Sequence, residues 1–482
     1  MAENDLFRAS VAFSSSDRVL CGLMEAAAER CAKNIRYFGD RRVLIEGGGY
    51  HKIWLETQPM GGAMYAKRDP VIGRNNQLLF MEHQRSDGRI PGSIALENGR
   101  IVPEFNKFQG FCFPQPALDM YYLTGNREYL TLLEETLRRF DEYLWRVRDS
   151  DGDGCLEAWC RYDTGEDNAI RFGDGPDAWS EESPPAGCAV VPIGSMDVMS
   201  YSYSARDTLA EIRLIRGDKT GSAQWREKAD AVAGAIRRLL WDEQRGALFD
   251  LDREHRRMPQ LIHNTLRAMY WKSISGEMAD RFLRDHLLNP AEFWTPMPLP
   301  SIAVNDPDFR NIPTNDWNGQ VQALTYQRAI RALENYERYE LIPVLGNKLF
   351  AAIAGKMAFV QQYDPFTGEP SLNGEDADQN SYGPALLAVM EYMARMYGVD
   401  RIRDRLVWGA ACGPDTVYTQ TFGEAVYRME LCGDEAAGFI GDRQIFRLQR
   451  GVRIESDLTG SILKVSSYGG ERPEDGADGS AH

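Results

Sequence analysis

Histidine is scarce in this chain, six in 482 residues, and none falls in a His-x-x-x-His or His-Glu-x-x-His pattern. The eight cysteines are scattered (Cys21, Cys31, Cys112, Cys155, Cys160, Cys188, Cys412 and Cys432) without a Cys-x-x-Cys pair. A transition-metal centre, a zinc ribbon and a redox dithiol are therefore not expected, and the thiols read as reduced and mostly buried. No apolar run approaches membrane length, and the first residues lack a basic segment followed by an apolar one, so a cytoplasmic protein is expected. Basic residues are outnumbered, 55 against 71, leaving a net charge of −16 that repels phosphate backbones and anionic lipid. Nucleic-acid and membrane partners are not expected, and no organic cofactor is implied. No fixed-period internal repeat is present, which argues against a helical solenoid.

Aromatics are plentiful, and many sit beside Gly, Pro, Asn or Asp, as in Phe111-Cys-Phe-Pro-Gln-Pro116 and Phe293-Trp-Thr-Pro296. Such faces suit sugar rings, which offer apolar C–H surfaces and hydroxyl rims. The segment Asp163-Thr-Gly-Glu-Asp-Asn-Ala-Ile-Arg171 concentrates three carboxylates, an amide and a guanidinium near Trp145, Trp159 and Phe172. A carboxyl near aromatic surface holds its proton more tightly, which a general acid needs. A polar loop capping the next helix is the plainer reading.

Apolar periodicity predicts helices near 17–36, 70–84, 116–123, 127–146, 197–215, 220–240, 261–273, 277–287, 319–338, 342–360 and 383–396. Short turns and long polar-aromatic loops alternate between them. If every second helix lines an inner ring, the long loops (46–69, 149–172, 289–320 and 361–382) emerge at one end and form a cleft. This is the logic of a mainly α, (α/α)6 toroid, expected over residues 1–400. Period-two alternation with Gly/Asp turns predicts a small antiparallel β appendage over 401–467. Residues 468–482 are too polar to bury a core and read as a disordered tail.

Hydrolysis of a glycosidic bond needs one protonated and one ionised carboxyl, roughly 6.5–9.5 Å apart if water attacks directly. Asp167 is the candidate acid; Glu369, Asp364, Glu375 and Asp376 are candidates across the cleft. Six segments in order then resemble glycoside hydrolase family 63 and the related trehalases. They are Asp87-Gly-Arg-Ile-Pro91, Asp163 to Asn168 with Arg171, Met196-Asp197, Pro300 to Pro307, Asp316-Trp-Asn-Gly319, and Tyr363-Asp-Pro-Phe-Thr-Gly368. The resemblance covers about residues 17–400 and implies inverting enzymes on an (α/α)6 barrel. The family's Ser-Gly-x-Asp-Asn-Ser acid falls on Asp167, and its Trp-x-Gly-Pro-x-Trp sugar segment on Trp317-Asn-Gly-Gln320, with Gln320 in place of Pro. Its general base falls on Gln361, an amide that cannot deprotonate water. Glu369 is the expected substitute. The family's Trp-Asp-Ser segment is replaced by Glu56-Thr-Gln58.

The expected activity is inverting hydrolysis of a small α-linked, glucoside-like glycoside, with Trp54, Glu56, Gln58, Arg171, Trp317, Gln320, Gln361 and Tyr382 binding the sugar. Trp294 is a further candidate platform. Two other functions stay open: a catalytically silent sugar binder, motivated by Gln361, and a sugar epimerase using His263. Asp149, Asp151 and Asp153 resemble the start of a calcium loop, although the twelfth position is Cys160 rather than Glu. Arg171 either grips a substrate carboxylate or pairs with Asp163 or Asp167. Gly47-Gly-Gly49 reads as a flexible lid or turn.

Overall fold

A computed structural model describes residues 8–371 and 377–469. Twelve α-helices lie among the described residues, joined in six pairs: α1 (Arg18–Lys33), α2 (Gln58–Tyr65), α3 (Pro70–Glu82), α4 (Pro114–Thr124), α5 (Arg127–Val147), α6 (Met196–Ile215), α7 (Lys219–Leu239), α8 (Asn264–Trp271), α9 (Gly276–Phe282), α10 (Ala323–Asn335), α11 (Leu341–Ala354) and α12 (Gly383–Tyr397). The even-numbered helices touch in cyclic order, α2 on α4, α4 on α6, and so on to α12, which returns to α2. The odd-numbered helices pack outside this cycle. Burial follows the same division. Every residue of α12 is buried, whereas α7 buries only Ala229, Val232, Ala235 and Ile236. A helix apolar or enclosed all round belongs in a core, and one with a single apolar stripe belongs at its edge.

Helix starts follow local chemistry. Asp17, Asp69, Asn126, Ser195, Asp218 and Ser275 each accept a backbone N–H from the first turn of the helix they precede. The helix α2 lies inside the long connection expected to be loop. Its eight residues, rich in Gly and Met, carry too weak a pattern to mark a helix.

The C-terminal strands form two antiparallel sheets. One joins Val399–Ile402, Arg405–Ala410, Val452–Asp457 and Ile462–Ser467; the other joins Thr416–Phe422, Ala425–Cys432, Glu435–Ile440 and Arg443–Gln449. The second sheet also takes in Ala9–Ser15, paired with Thr416–Phe422 from Ala9↔Phe422 to Ser15↔Thr416. Trp408 fills the space between the sheets, edge-on to Phe446 and Tyr427, with its Nε1 donating to Ser456 Oγ at 3.0 Å. Most of the expected tail lies outside the described residues; Tyr468 donates its hydroxyl to the Arg395 carbonyl at 2.6 Å.

The loops preceding α2, α6, α10 and α12 meet at one end of the helix cycle, around a cavity of about 180 Å³. The C-terminal ends of the even helices surround a larger cavity, about 360 Å³, at the other end. There Lys67 pairs with Glu391 at 2.5 Å and Asp400 at 2.7 Å, and Arg395 pairs with Glu334 at 2.8 Å and with Asp400. These buried groups join the helices to the first β-sheet. Removing one member of such a network leaves its partner's charge unmatched. Glu391→Ala is accordingly expected to lower unfolding free energy by about 3 kcal/mol, read from urea titrations.

Candidate active site

The acidic segment is held from beneath by two buried charge clusters. Asp163 accepts the backbone N–H of Phe108 (2.9 Å) and Trp159 (2.9 Å) and pairs with Arg148 at 2.6 Å. Arg148 lies between the rings of Trp159 and Phe108, 4.1 and 4.3 Å from their centroids. Burial by itself would raise the Asp163 carboxyl, but Arg148, Arg89 and the Trp159 amide hold it below its usual range. Glu166 points inward to Arg171, to Arg267 at 3.2 Å, and accepts Asn264 Nδ2 at 3.0 Å. These partners outweigh its burial and keep it ionised far below the ordinary carboxylate range.

Asp167 turns the other way. Gly165 and Asn168, on either side, have φ of +73° and +60°, and the backbone reversal sends consecutive carboxylates to opposite sides. The Trp317 N–H donates to the Asp167 carbonyl at 3.2 Å, and Asn318 Oδ1 accepts the Ile170 N–H at 2.6 Å. The acid loop is thus stitched to the loop before α10.

Three carboxyls line the smaller cavity: Glu46, Glu56 and Asp167. Burial raises Asp167, against hydrogen bonds from Asn315 and Gln109 that favour its charge. Burial and the neighbouring Glu56 raise Glu46 well above its ordinary value, against a hydrogen bond with Tyr382. Burial pushes Glu56 up to about 7, even though Arg328 sits 2.6 Å away. Like charges in one enclosed space cannot all ionise, so the cavity retains protons near neutrality. Tyr50, Trp54, Tyr162, Trp317 and Tyr382 supply aromatic walls, and the buried Lys107 joins the lining.

Asp167, Trp54, Glu56, Trp317, Gln361 and Tyr382 are brought together as expected from the sequence. Glu369 is not. It lies exposed outside the cavity, paired with Lys356, because the turn at 364–368 carries it to the surface. Asp364 closes that turn by accepting the Phe366 N–H at 2.8 Å, and Glu375 and Asp376 lie outside the described residues. Gln58 faces inward, accepting the Trp54 N–H at 2.6 Å, and Gln320 donates to Asn311 Oδ1 at 2.9 Å, both away from the cavity. Arg171 is buried against Glu166, Asp250 and Asp197, so it holds the loop rather than a ligand. Trp294 packs against the core.

His263 lies beneath Trp317, ring centroids 5.9 Å apart, with Nδ1 on the Ser301 carbonyl at 2.9 Å. Burial lowers it to about 4, and it is not among the residues lining the cavity. Asp151 and Asp153 meet His255, at 3.2 and 3.0 Å, on the surface; Asp149 instead accepts the Gly154 N–H at 3.1 Å.

Glu46, Tyr50, Lys107, Gln109 and Asn315 escaped the sequence reading. For Glu46 a signal existed. A Cβ on Gly47 would lie 2.4 Å from the Ser381 carbonyl, and one on Gly48 would lie 3.0 Å from Tyr382. Gly47 and Gly48 are a close-packing device that brings Glu46 against Tyr382, whereas Gly49 faces open space at φ +93°.

Residues 63–381 match the family model for the mannosylglycerate hydrolase MGH1-like glycoside hydrolase domain. The match spans well over half of the chain, which therefore belongs to that family. Similar solved structures include the GH63 mannosylglycerate hydrolase from Thermus thermophilus in complex with glucose, at TM-score 0.60 and 16% identity, covering 77% of this chain and 99% of that one. A sialidase superposes at TM-score 0.71 and 12% identity over 93% of this chain and 42% of its own. The neutral trehalase of Saccharomyces cerevisiae does so at 0.52 and 13%, over 73% and 74%. At these identities the likenesses concern the fold. No described helix is long and apolar enough to cross a membrane.

Glu56 generates a pH prediction. Its proton is bound more tightly in the folded chain (about 7) than at its ordinary value of 4.5. Its contribution to stability is therefore complete below about pH 4.5 and is lost as pH rises through 7. Glu56→Gln is expected to flatten the fall in stability across that window by about 3 kcal/mol, whatever its effect on the absolute level. Urea denaturation at several pH values measures the slope.

Proposed function

We propose that this chain is an inverting O-glycosidase acting in the cytoplasm, built on an (α/α)6 toroid whose inner ring is the cycle of even-numbered helices. The observation that carries the reading is the cluster of Glu46, Glu56 and Asp167 inside one aromatic-walled cavity. The substrate is a small α-linked, glucoside-like glycoside, bound with its ring between Trp54 and Trp317. Glu56, Gln361 and Tyr382 meet its hydroxyls.

Asp167 gives its proton to the leaving oxygen as the bond from that oxygen to the anomeric carbon breaks. A water on the opposite face attacks the same carbon while Glu46 takes the water's proton. The products are the free alcohol and a sugar of inverted anomeric configuration. Glu46 thus replaces Glu369 as the base. One observation favours the exchanged assignment: Asn315 Nδ2 donates to Asp167 Oδ2 at 2.7 Å, which suits an ionised Asp167 and a protonated Glu46. The loops add an inference about the aglycone. The Thermus neighbour is also described in complex with D-glycerate, and here Lys107 and Lys52 flank Trp54, 5.5 and 5.4 Å from its ring. A test panel should therefore include sugars joined to small hydroxy acids.

NMR of the first-formed anomer during turnover of the panel is expected to show inversion. Asp167→Asn should lose roughly 10²–10⁴-fold in kcat on alkyl glycosides and far less on a glycoside with a nitrophenolate-type leaving group. Glu46→Ala should lose turnover on both and recover with azide. Leaving-group rescue in the Glu46 variant instead would exchange the roles; retention of configuration would sink the mechanism. Sugar binding without turnover by the parent would make the chain a silent binder.

A further inference from the structure

Gln361 stands where the resemblance to family 63 would place a general base, and it has definite partners. Its Oε1 accepts the Tyr50 hydroxyl at 2.8 Å, and its Nε2 donates to Asn315 Oδ1 at 2.9 Å. Asn315 in turn presents Nδ2 to Asp167 Oδ2 at 2.7 Å and to the Tyr50 oxygen at 3.3 Å. The four side chains form one directional circuit.

An amide has a donor end and an acceptor end, so neither amide in this circuit can reverse alone. Turning Asn315 would set its carbonyl oxygen against Asp167, which is tolerable only if Asp167 carries the proton. It would also set the Asn315 amino group against that of Gln361, which must then turn as well and donate to Tyr50. The chain has two self-consistent polarities, one matched to an ionised Asp167 and one to a protonated Asp167.

We infer that Gln361 is a positioning residue for Asp167: acting through Asn315, it selects which end of an amide meets the carboxyl and so couples the circuit's polarity to the proton that Asp167 gains and gives up. This deepens the glycosidase reading and assigns a role to the residue that departs from the family pattern. It needs no carboxylate at position 361, because the amide contributes by having two unlike ends.

Other groups also act on Asp167. Glu46 and Glu56 share its cavity, Tyr50 and Tyr162 face it, Lys107 lowers it and Asp177 raises it. Of these only Tyr50, itself part of the circuit, touches position 361, and the comparison with and without Asn315 separates a direct Tyr50 effect from the circuit. A neutral substitution avoids adding charge.

The test follows the Asp167 carboxyl by ¹³C NMR titration, its signal assigned by its disappearance in Asp167→Asn. This readout does not require turnover, so it stands apart from whether the chain is a glycosidase. Gln361→Met frees Asn315 to turn, and the Asp167 midpoint is expected to rise by about one pH unit. In an Asn315→Ala background the same Gln361→Met change should leave the midpoint where Asn315→Ala alone put it. Gln361→Leu, also neutral and unable to donate or accept, should likewise raise the midpoint, which covers the case in which the Met variant folds poorly. An unchanged midpoint in Gln361→Met, or an equal shift with and without Asn315, would overturn the inference. If the chain does turn over glycosides, the limb of the kcat/KM profile that reports Asp167 should move with the NMR midpoint.

Discussion

The site rests on the buried contact of Glu166 with Arg171 and Arg267. Consecutive acids on a loop repel one another and prefer water, so an isolated Glu166-Asp167 pair would turn both carboxylates outward. Two guanidiniums beneath the loop, themselves held by Asp197 and Asp250, draw Glu166 into the protein. A buried ion pair contributes little net stability against a well-packed apolar alternative, but it specifies orientation because any other arrangement strands a charge. With Glu166 committed inward, the left-handed residues Gly165 and Asn168 direct Asp167 into the cavity. Proton affinity then follows from placement. Asp167 has amides and no guanidinium beside it, so burial raises it; Glu166 has guanidiniums, so it stays ionised.

The helix cycle has two unlike ends. Loops preceding α2, α4, α6, α10 and α12 line the cavity that holds the carboxyls, and residues in or capping all six even-numbered helices line the larger one. Helix N-termini carry partial positive charge and C-termini partial negative charge. Lys67, Arg331 and Arg395 stand at the second end, suited to the helix C-termini there. The cations at the far end also hold Glu391, Glu334 and Asp400, where the β-sheets attach. Complementing the helix ends and joining the β module to the helices are done by the same side chains.

Some features were legible in the sequence because they depend on neighbours along the chain. Helical periodicity and capping residues mark most of the twelve helices, and alternation marks the C-terminal strands. Trp54, Trp317 and Asp167 stand out because aromatics and acids cluster in segments too polar to be core. The strand Ala9–Ser15 is short and alternating, and only its partner 400 residues away shows that it belongs to a sheet. Arg171 and Glu369 illustrate the limit from opposite sides. Each is a charged residue in a functional-looking loop, Arg171 reading as a ligand contact or an ion-pair partner of Asp163 or Asp167 and Glu369 as the substitute general base. The fold buries one among three carboxylates and leaves the other in solvent with Lys356.

By itself the sequence determined the helical hairpins, the β module and the loop that carries Asp167, since periodicity, caps and turn residues act within a few positions. Only the tertiary structure decided which acids face one another. Glu46 shares a cavity with Asp167 because Gly47 and Gly48 permit close packing against Ser381 and Tyr382, more than 330 positions further along. A carboxyl's proton affinity depends on what surrounds it in space, and that surrounding comes from segments the chain brings together only on folding.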